Sequence, residues 1–228
     1  MKTLLFCTAF GRDPGIWRLR FRRWFDAIKC SGIHADTILL VDDGSPVLPQ
    51  WADVPVVSDA REIGDAAIFH FHQNLGRQAR AIYPGWFRSF TFAGRFAASR
   101  GFEKIVHIES DAFVISPRAV AWINDLEDGW ETPFCVRYKI PESAIQVMAG
   151  SGLDAFFEVS HRPYSEQVGI EAEKCLPFTR IAKELTGDRY GETTHDVPRD
   201  ADWATQSQPS RKRDYWWWLP DSAVTDLL

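Results

Sequence analysis

The chain has 228 residues, 45% of them hydrophobic and 25% charged, with a formal net charge of −5. That balance suits a folded domain with a sizeable core, and it excludes a general nucleic-acid binder, which would carry a basic excess. The four cysteines, Cys7, Cys30, Cys135 and Cys175, lack any CxxC spacing, so the expectation is a reducing, cytoplasmic compartment without a disulfide framework.

Leu4 to Phe10 is predicted to be a buried strand rather than a secretory leader, because its apolar run is short and ends in the turn Gly11-Arg12-Asp13-Pro14-Gly15. Trp17, Phe21, Trp24, Phe25 and Ile28 then recur at helical spacing, with Arg18, Arg20, Arg22 and Arg23 mostly on other faces. Thr37 to Val41 reads as a second strand closed by Asp42-Asp43-Gly44-Ser45-Pro46. Short strands follow at Val54 to Val57 and Ala67 to His72, the latter ending at Asn74-Leu75-Gly76. A helix from Trp86 to Ala98, closed by Gly101, leads into a central strand from Lys104 to Glu109. Farther on, strands are expected at Phe134 to Ile140 and Ala144 to Met148, possible partners in a hairpin, and a helix over Ile170 to Leu185 that Pro177 must start or break. From Thr186 to Asp214 the chain is polar and has little periodicity.

This alternation predicts an α/β fold with a mainly parallel sheet, in which ligands bind beyond the carboxyl ends of the strands. Three polar strand ends would meet there: Thr8 to Arg12 (with Ala9 and Phe10), Asp42-Asp43, and Glu109-Ser110-Asp111. Strand side chains alternate faces, so Glu109 and Asp111 are expected to point the same way. Two hard anionic oxygens converging there suit a divalent cation that also holds phosphates.

Val41-Asp42-Asp43-Gly44-Ser45, Asn74-Leu75-Gly76-Arg77 and His107-Ile108-Glu109-Ser110-Asp111, in that order, resemble a nucleotide-sugar glycosyltransferase of the GT-A fold, family 2-like. The resemblance implies one domain over 1–228, with a nucleotide-binding half at 3–115 and a smaller mixed acceptor-side half at 116–228. It implies that Asp42 and Asp43 contact the nucleoside, with Thr8, Ala9, Phe10, Arg12, Arg77 and Ser110 around the nucleotide. An Asp-x-Asp motif, here Glu109-x-Asp111, would coordinate Mn²⁺ or Mg²⁺ on the diphosphate. The glutamate is a departure that reaches about one methylene farther. The partners implied are a nucleotide diphosphate-sugar donor and a glycan or glycolipid acceptor.

Chemistry assigns further candidates. A diphosphate leaving group needs positive charge, for which Arg12, Arg77 and Arg80 are candidates. An inverting transferase needs a carboxylate to deprotonate the acceptor; Glu173, expected at a helix start, is the first candidate and Asp154 the second. His195 is a candidate third metal ligand, since imidazole suits Mn²⁺-like ions. Arg211-Lys212-Arg213 followed by Trp216-Trp217-Trp218-Leu219 leaves two readings open: peripheral contact with an anionic membrane, or indoles packed on the domain or a partner. A sugar nucleotidyltransferase is the nearest rival, disfavoured by the sparse glycine between Thr8 and Gly15; a non-catalytic carbohydrate- or partner-binding module of the same fold is the other.

Overall fold

The computed structural model describes residues 1–79, 82–166, 171–193 and 196–207. The strands are β1 (Thr3–Ala9), β2 (Thr37–Asp42), β3 (Val56–Val57), β4 (Ala66–His70), β5 (Lys104–Ile108), β6 (Phe113–Val114), β7 (Gly129–Cys135), β8 (Ile140–Pro141), β9 (Ile145–Ala149), β10 (Arg180–Ala182), β11 (Gly187–Asp188) and β12 (Trp203–Ala204). The helices are α1 (Pro14–Ile16), α2 (Arg23–Cys30), α3 (Pro84–Arg100), α4 (Pro117–Asp125), α5 (Ser151–His161) and α6 (Ala172–Cys175). A π-helical turn, Trp17–Arg22, joins α1 to α2.

The main sheet runs β10-β7-β9-β5-β1-β2-β4-β3, and β9 alone in that order is antiparallel to its neighbours. A small sheet, β11-β12-β6, stands apart among the described residues. The period of two along β1 explains the layers: Leu5, Cys7 and Ala9 face one core with Trp17, Phe21, Trp24, Phe25 and Ile123, while Leu4 and Phe6 face another with Phe90, Phe96 and Phe156. Helices thus cover both faces, as a parallel sheet requires. Asp13 caps α1 by accepting from the Ile16 amide at 3.0 Å, and Gly101 ends α3 in the left-handed region at φ 66°.

Two elements differ from their predicted forms. The strand expected over Phe134 to Ile140 lies earlier, at Gly129–Cys135, and Val136 to Lys139 form an exposed turn with Val136 and Tyr138 facing solvent. Hydrophobic side chains there suggest a strand, but they sit on the connection between β7 and β9, which do form the expected hairpin. The helix expected over Ile170 to Leu185 shrinks to Ala172–Cys175. Leu176 before Pro177 is extended at φ −76° and ψ 136°, the conformation the proline ring forces on its predecessor, and Arg180–Ala182 then joins β7 as a parallel edge. No described helix is long and apolar enough to cross a membrane.

Candidate functional site

The carboxyl ends of β1, β2 and β5 lie side by side, with Ala9 opposite Asp42 and Phe6 opposite His107 in register. Because β9 is reversed, the residues just before it, Ser143 and Ala144, join the same edge, and the Glu109 amide donates to the Ala144 carbonyl at 2.8 Å. There an 840 Å³ cleft opens, lined by Arg20, Arg77, Trp86, Glu109, Asp111, Glu142, Glu173 and Arg189 among others. The first turn of α3 borders it through Tyr83, Trp86 and Phe87, an arrangement that favours an anion at the helix start.

Glu109 and Asp111 both line this cleft, although strand alternation is not what brings them together. The chain turns at Ser110 and Asp111 immediately after β5, with the Ala112 amide donating to the Glu109 carbonyl at 2.9 Å. Burial, and next the negative charge of Asp111, push the Glu109 carboxyl up to about 7, against a donation from Trp86 Nε1 at 2.9 Å. Asp111 Oδ2 accepts from Arg20 Nη2 at 3.2 Å, while Ser110 Oγ accepts from Arg20 Nε at 2.5 Å. The second oxygen, Asp111 Oδ1, is buried without a hydrogen-bond partner among the described residues. A buried anionic oxygen without a donor is costly unless a cation or ligand group satisfies it.

The Asp42-Asp43 turn has a different local chemistry. Asp42 is fully buried; its carboxylate accepts from the Ser45 amide at 2.9 Å and the Ser45 hydroxyl, and pairs with His70 Nδ1 at 2.7 Å. Ser45 Oγ in turn accepts from the Gly11 amide at 2.8 Å, tying the loop after β1 to the loop after β2. Asp43 accepts from Asn74 Nδ2 at 2.9 Å, the Leu75 amide at 3.2 Å, the Gly76 amide at 2.7 Å and the Arg88 guanidinium. Both carboxylates are therefore bonded within the protein, and neither is among the residues that line the cleft; Asp43 holds Gly76, next to Arg77, which does line it. Gly44, at φ 76°, fits because a side chain there would meet the Asn74 amide nitrogen at 2.5 Å.

The remaining sequence candidates divide by place. Thr8 and Phe10 are half-buried at the end of β1, and Ala9 is buried against the core. Arg12 is exposed on the turn beyond. Arg77 lines the cleft, its guanidinium 4.9 Å from the Tyr83 ring centre. Glu173 lines the cleft too, with Oε1 accepting from Arg189 Nη2 at 2.8 Å and from Ser143 Oγ at 3.1 Å. Asp154 is not brought there: it sits in the first turn of α5 beside a separate, shallow depression with Phe157, Glu158 and His161. Arg80, His195 and the segment from Arg211 to Leu219 lie outside the described residues. No group of three or more metal-ligating side chains occurs among the described residues.

Several cleft residues carried no sequence signal as site residues. Arg189 bridges Glu173 and the fully buried Glu142, donating from Nε to Glu142 Oε2 at 2.8 Å. Burial raises the Glu142 carboxyl and Arg189 opposes that rise. Trp86 and Arg20 looked like ordinary helix residues, and only tertiary structure turns them onto Glu109 and Asp111.

No family model and no curated protein matches the chain. Solved structures do. A galactosyltransferase, LgtC, in complex with donor and acceptor sugar analogs superposes at a TM-score of 0.54 and 13% identity, over 99% of this chain and 94% of that one. A glycosyltransferase involved in glycosylation of the major capsid of PBCV-1 superposes at 0.46 and 11% identity, over 90% and 92%. The likeness to the galactosyltransferase is one of fold: this chain has the GT-A architecture, with a mostly parallel central sheet flanked by helices and a small mixed second sheet.

Proposed function

We propose that this GT-A chain is a glycosyltransferase that moves a sugar from a nucleotide diphosphate donor to a hydroxyl of a glycan or glycolipid. The observation that carries the reading is the pair Glu109 and Asp111 at the carboxyl end of β5, in an 840 Å³ cleft, with one Asp111 oxygen buried and unpartnered among the described residues. Two carboxylates of this kind fit Mg²⁺ or Mn²⁺, which are commonly bound by one or two carboxylates plus substrate phosphates. Glu109 and Asp111 would hold the ion, and a bound ion supplies Lewis-acid stabilisation of the departing diphosphate. The protein does the rest. Trp86 orients Glu109, Arg20 and Arg77 add positive charge, and the aromatic rings of Tyr83 and Trp86 offer faces for a base or sugar.

Glu173 is the candidate base. Arg189 and Ser143 occupy its Oε1 and fix its direction, while Oε2 bonds to no described residue and is open to an acceptor hydroxyl. Asp43 braces the segment that carries Arg77 into the cleft.

The test is calorimetric titration with the common nucleoside diphosphates in the presence of Mn²⁺, followed by a sugar-nucleotide turnover screen. At least one nucleotide should bind and at least one donor should turn over; an absence of any binding overturns the reading. Asp111→Ala should abolish turnover, and Glu173→Gln should lower kcat by about 100-fold or more if Glu173 is the base. Unchanged turnover removes the residue concerned from the site.

A further inference from the structure

Arg20 is the one cation among the described residues that touches the acid loop. It lies on the π-helical turn Trp17–Arg22, between Trp17 and Phe21, which are buried under the sheet edge. Such turns are uncommon inside helices and cluster at functional sites. The Arg20 guanidinium bonds Ser110 and Asp111, and these contacts use two of its five N–H donors. Its side chain keeps 39% of its exposure and lines the cleft, so the remaining donors face space where a ligand fits.

Two positive occupants cannot share Asp111 without cost. Asp111 Oδ2 belongs to Arg20, and Oδ1 is buried and unpartnered among the described residues. A divalent cation drawing on both Asp111 and Glu109 would stand within a few ångströms of a guanidinium, and like charges at that range repel. Substrate brings two or more negative charges to the same place, and a planar guanidinium fork is well shaped to receive them.

We infer that Arg20 is a placeholder for the divalent cation: it holds Asp111 while the cleft is empty, competes with the cation for that carboxylate, and transfers its hydrogen bonds to the diphosphate when cation and substrate enter together. The inference rests on the glycosyltransferase reading for the identity of the anion. The competition for Asp111 does not depend on it.

Three calorimetric measurements on the intact protein test this: Mn²⁺ alone, inorganic pyrophosphate alone, and pyrophosphate in saturating Mn²⁺. In Arg20→Gln, Mn²⁺ alone should bind more tightly, by roughly fivefold, the scale of a half-exposed ion pair. Pyrophosphate with Mn²⁺ should bind about tenfold more weakly, the scale of a lost charge-assisted contact. Arg20→Lys keeps the charge but loses the fork; it should leave Mn²⁺ affinity near the parent value and still weaken pyrophosphate. Ser110→Ala, which loosens Arg20 without removing it, should also tighten Mn²⁺.

Equal or weaker Mn²⁺ binding in both Arg20→Gln and Ser110→Ala overturns the competition. Unchanged pyrophosphate affinity in Arg20→Gln overturns the transfer. If the parent binds Mn²⁺ and pyrophosphate but no nucleoside diphosphate, the functional reading fails while both arms still decide the role of Arg20. Matching circular dichroism spectra and unfolding temperatures identify folded variants, and the milder Arg20→Lys and Ser110→Ala keep the test open should Arg20→Gln not fold.

Discussion

Glu109 makes the chemistry of the cleft measurable one residue at a time. Folding raises its carboxyl from the ordinary range to about 7, chiefly through burial and next through Asp111. Across that window the folded state binds more protons than the unfolded chain, so this group makes stability fall as pH rises. Glu109→Gln removes the dependence. In chelator, its unfolding temperature should exceed the parent's by roughly 6–12 °C at pH 8, and the gap should close toward pH 4.5. A constant gap across this range would mean that Glu109 ionises normally. The sequence made Glu109 and Asp111 legible as a pair because an apolar, β-branched run stopped at two acids. It did not disclose that Asp42 and Asp43 are spent on Ser45, His70, Asn74 and Arg88, because the same turn residues suit a ligand or a loop brace equally well.

At the scale of elements, the loops after β2 and β4 and the start of α3 form one unit around Asp43. Gly85 lets the helix approach: a side chain there would collide with Asp43 Oδ2 and stand 2.8 Å from the Gly76 amide nitrogen. Gly85→Ala should therefore cost about 2–3 kcal/mol, read as a lower denaturant midpoint, since backbone and a saturated carboxylate cannot give way. Gly64→Ala is the control: nothing lies within 4 Å, and the change should stay within about 0.5 kcal/mol. Equal losses in both would refute the packing argument. The strands and helices of the first half were readable because each carried its own period and its own stop, Asp13-Pro14 at one boundary and Gly101 at another. The second half was not, because its order comes from long-range partners. Arg180–Ala182 is a strand only by lying against β7, and Pro177 ended a helix whose composition favoured continuing it.

The whole molecule depends on how the polar late segment is tied back, and Asp202 is the knot. Its carboxylate accepts from Ser116 Oγ at 2.5 Å, Arg118 Nε at 3.1 Å and the Thr186 amide at 2.5 Å, joining α4 to the small sheet. Burial alone would raise this carboxyl, but Arg118, Ser116 and the Thr186 N–H outweigh it and hold it low. A lowered carboxyl contributes stability that is present above its unfolded value, about 3.9, and is lost as pH falls through the folded one. Asp202→Asn should thus cost about 2 kcal/mol near neutrality, with the difference from the parent shrinking below about pH 4. A difference that persists undiminished into acid would assign the loss to packing.

The acid loop is also bound at both ends to distant parts of the chain, by Glu109 to Ala144 at 2.8 Å and by the Ser207 amide to the Asp111 carbonyl at 3.0 Å. Both partners are remote in sequence, whereas the registers of β1 with β2, β1 with β5 and β2 with β4 involve nothing beyond residue 108. The cleft is thus completed by contacts of longer range than those that align the parallel strands, and a substitution that weakens the late segment should raise amide exchange at Ala112 before it does so within β1.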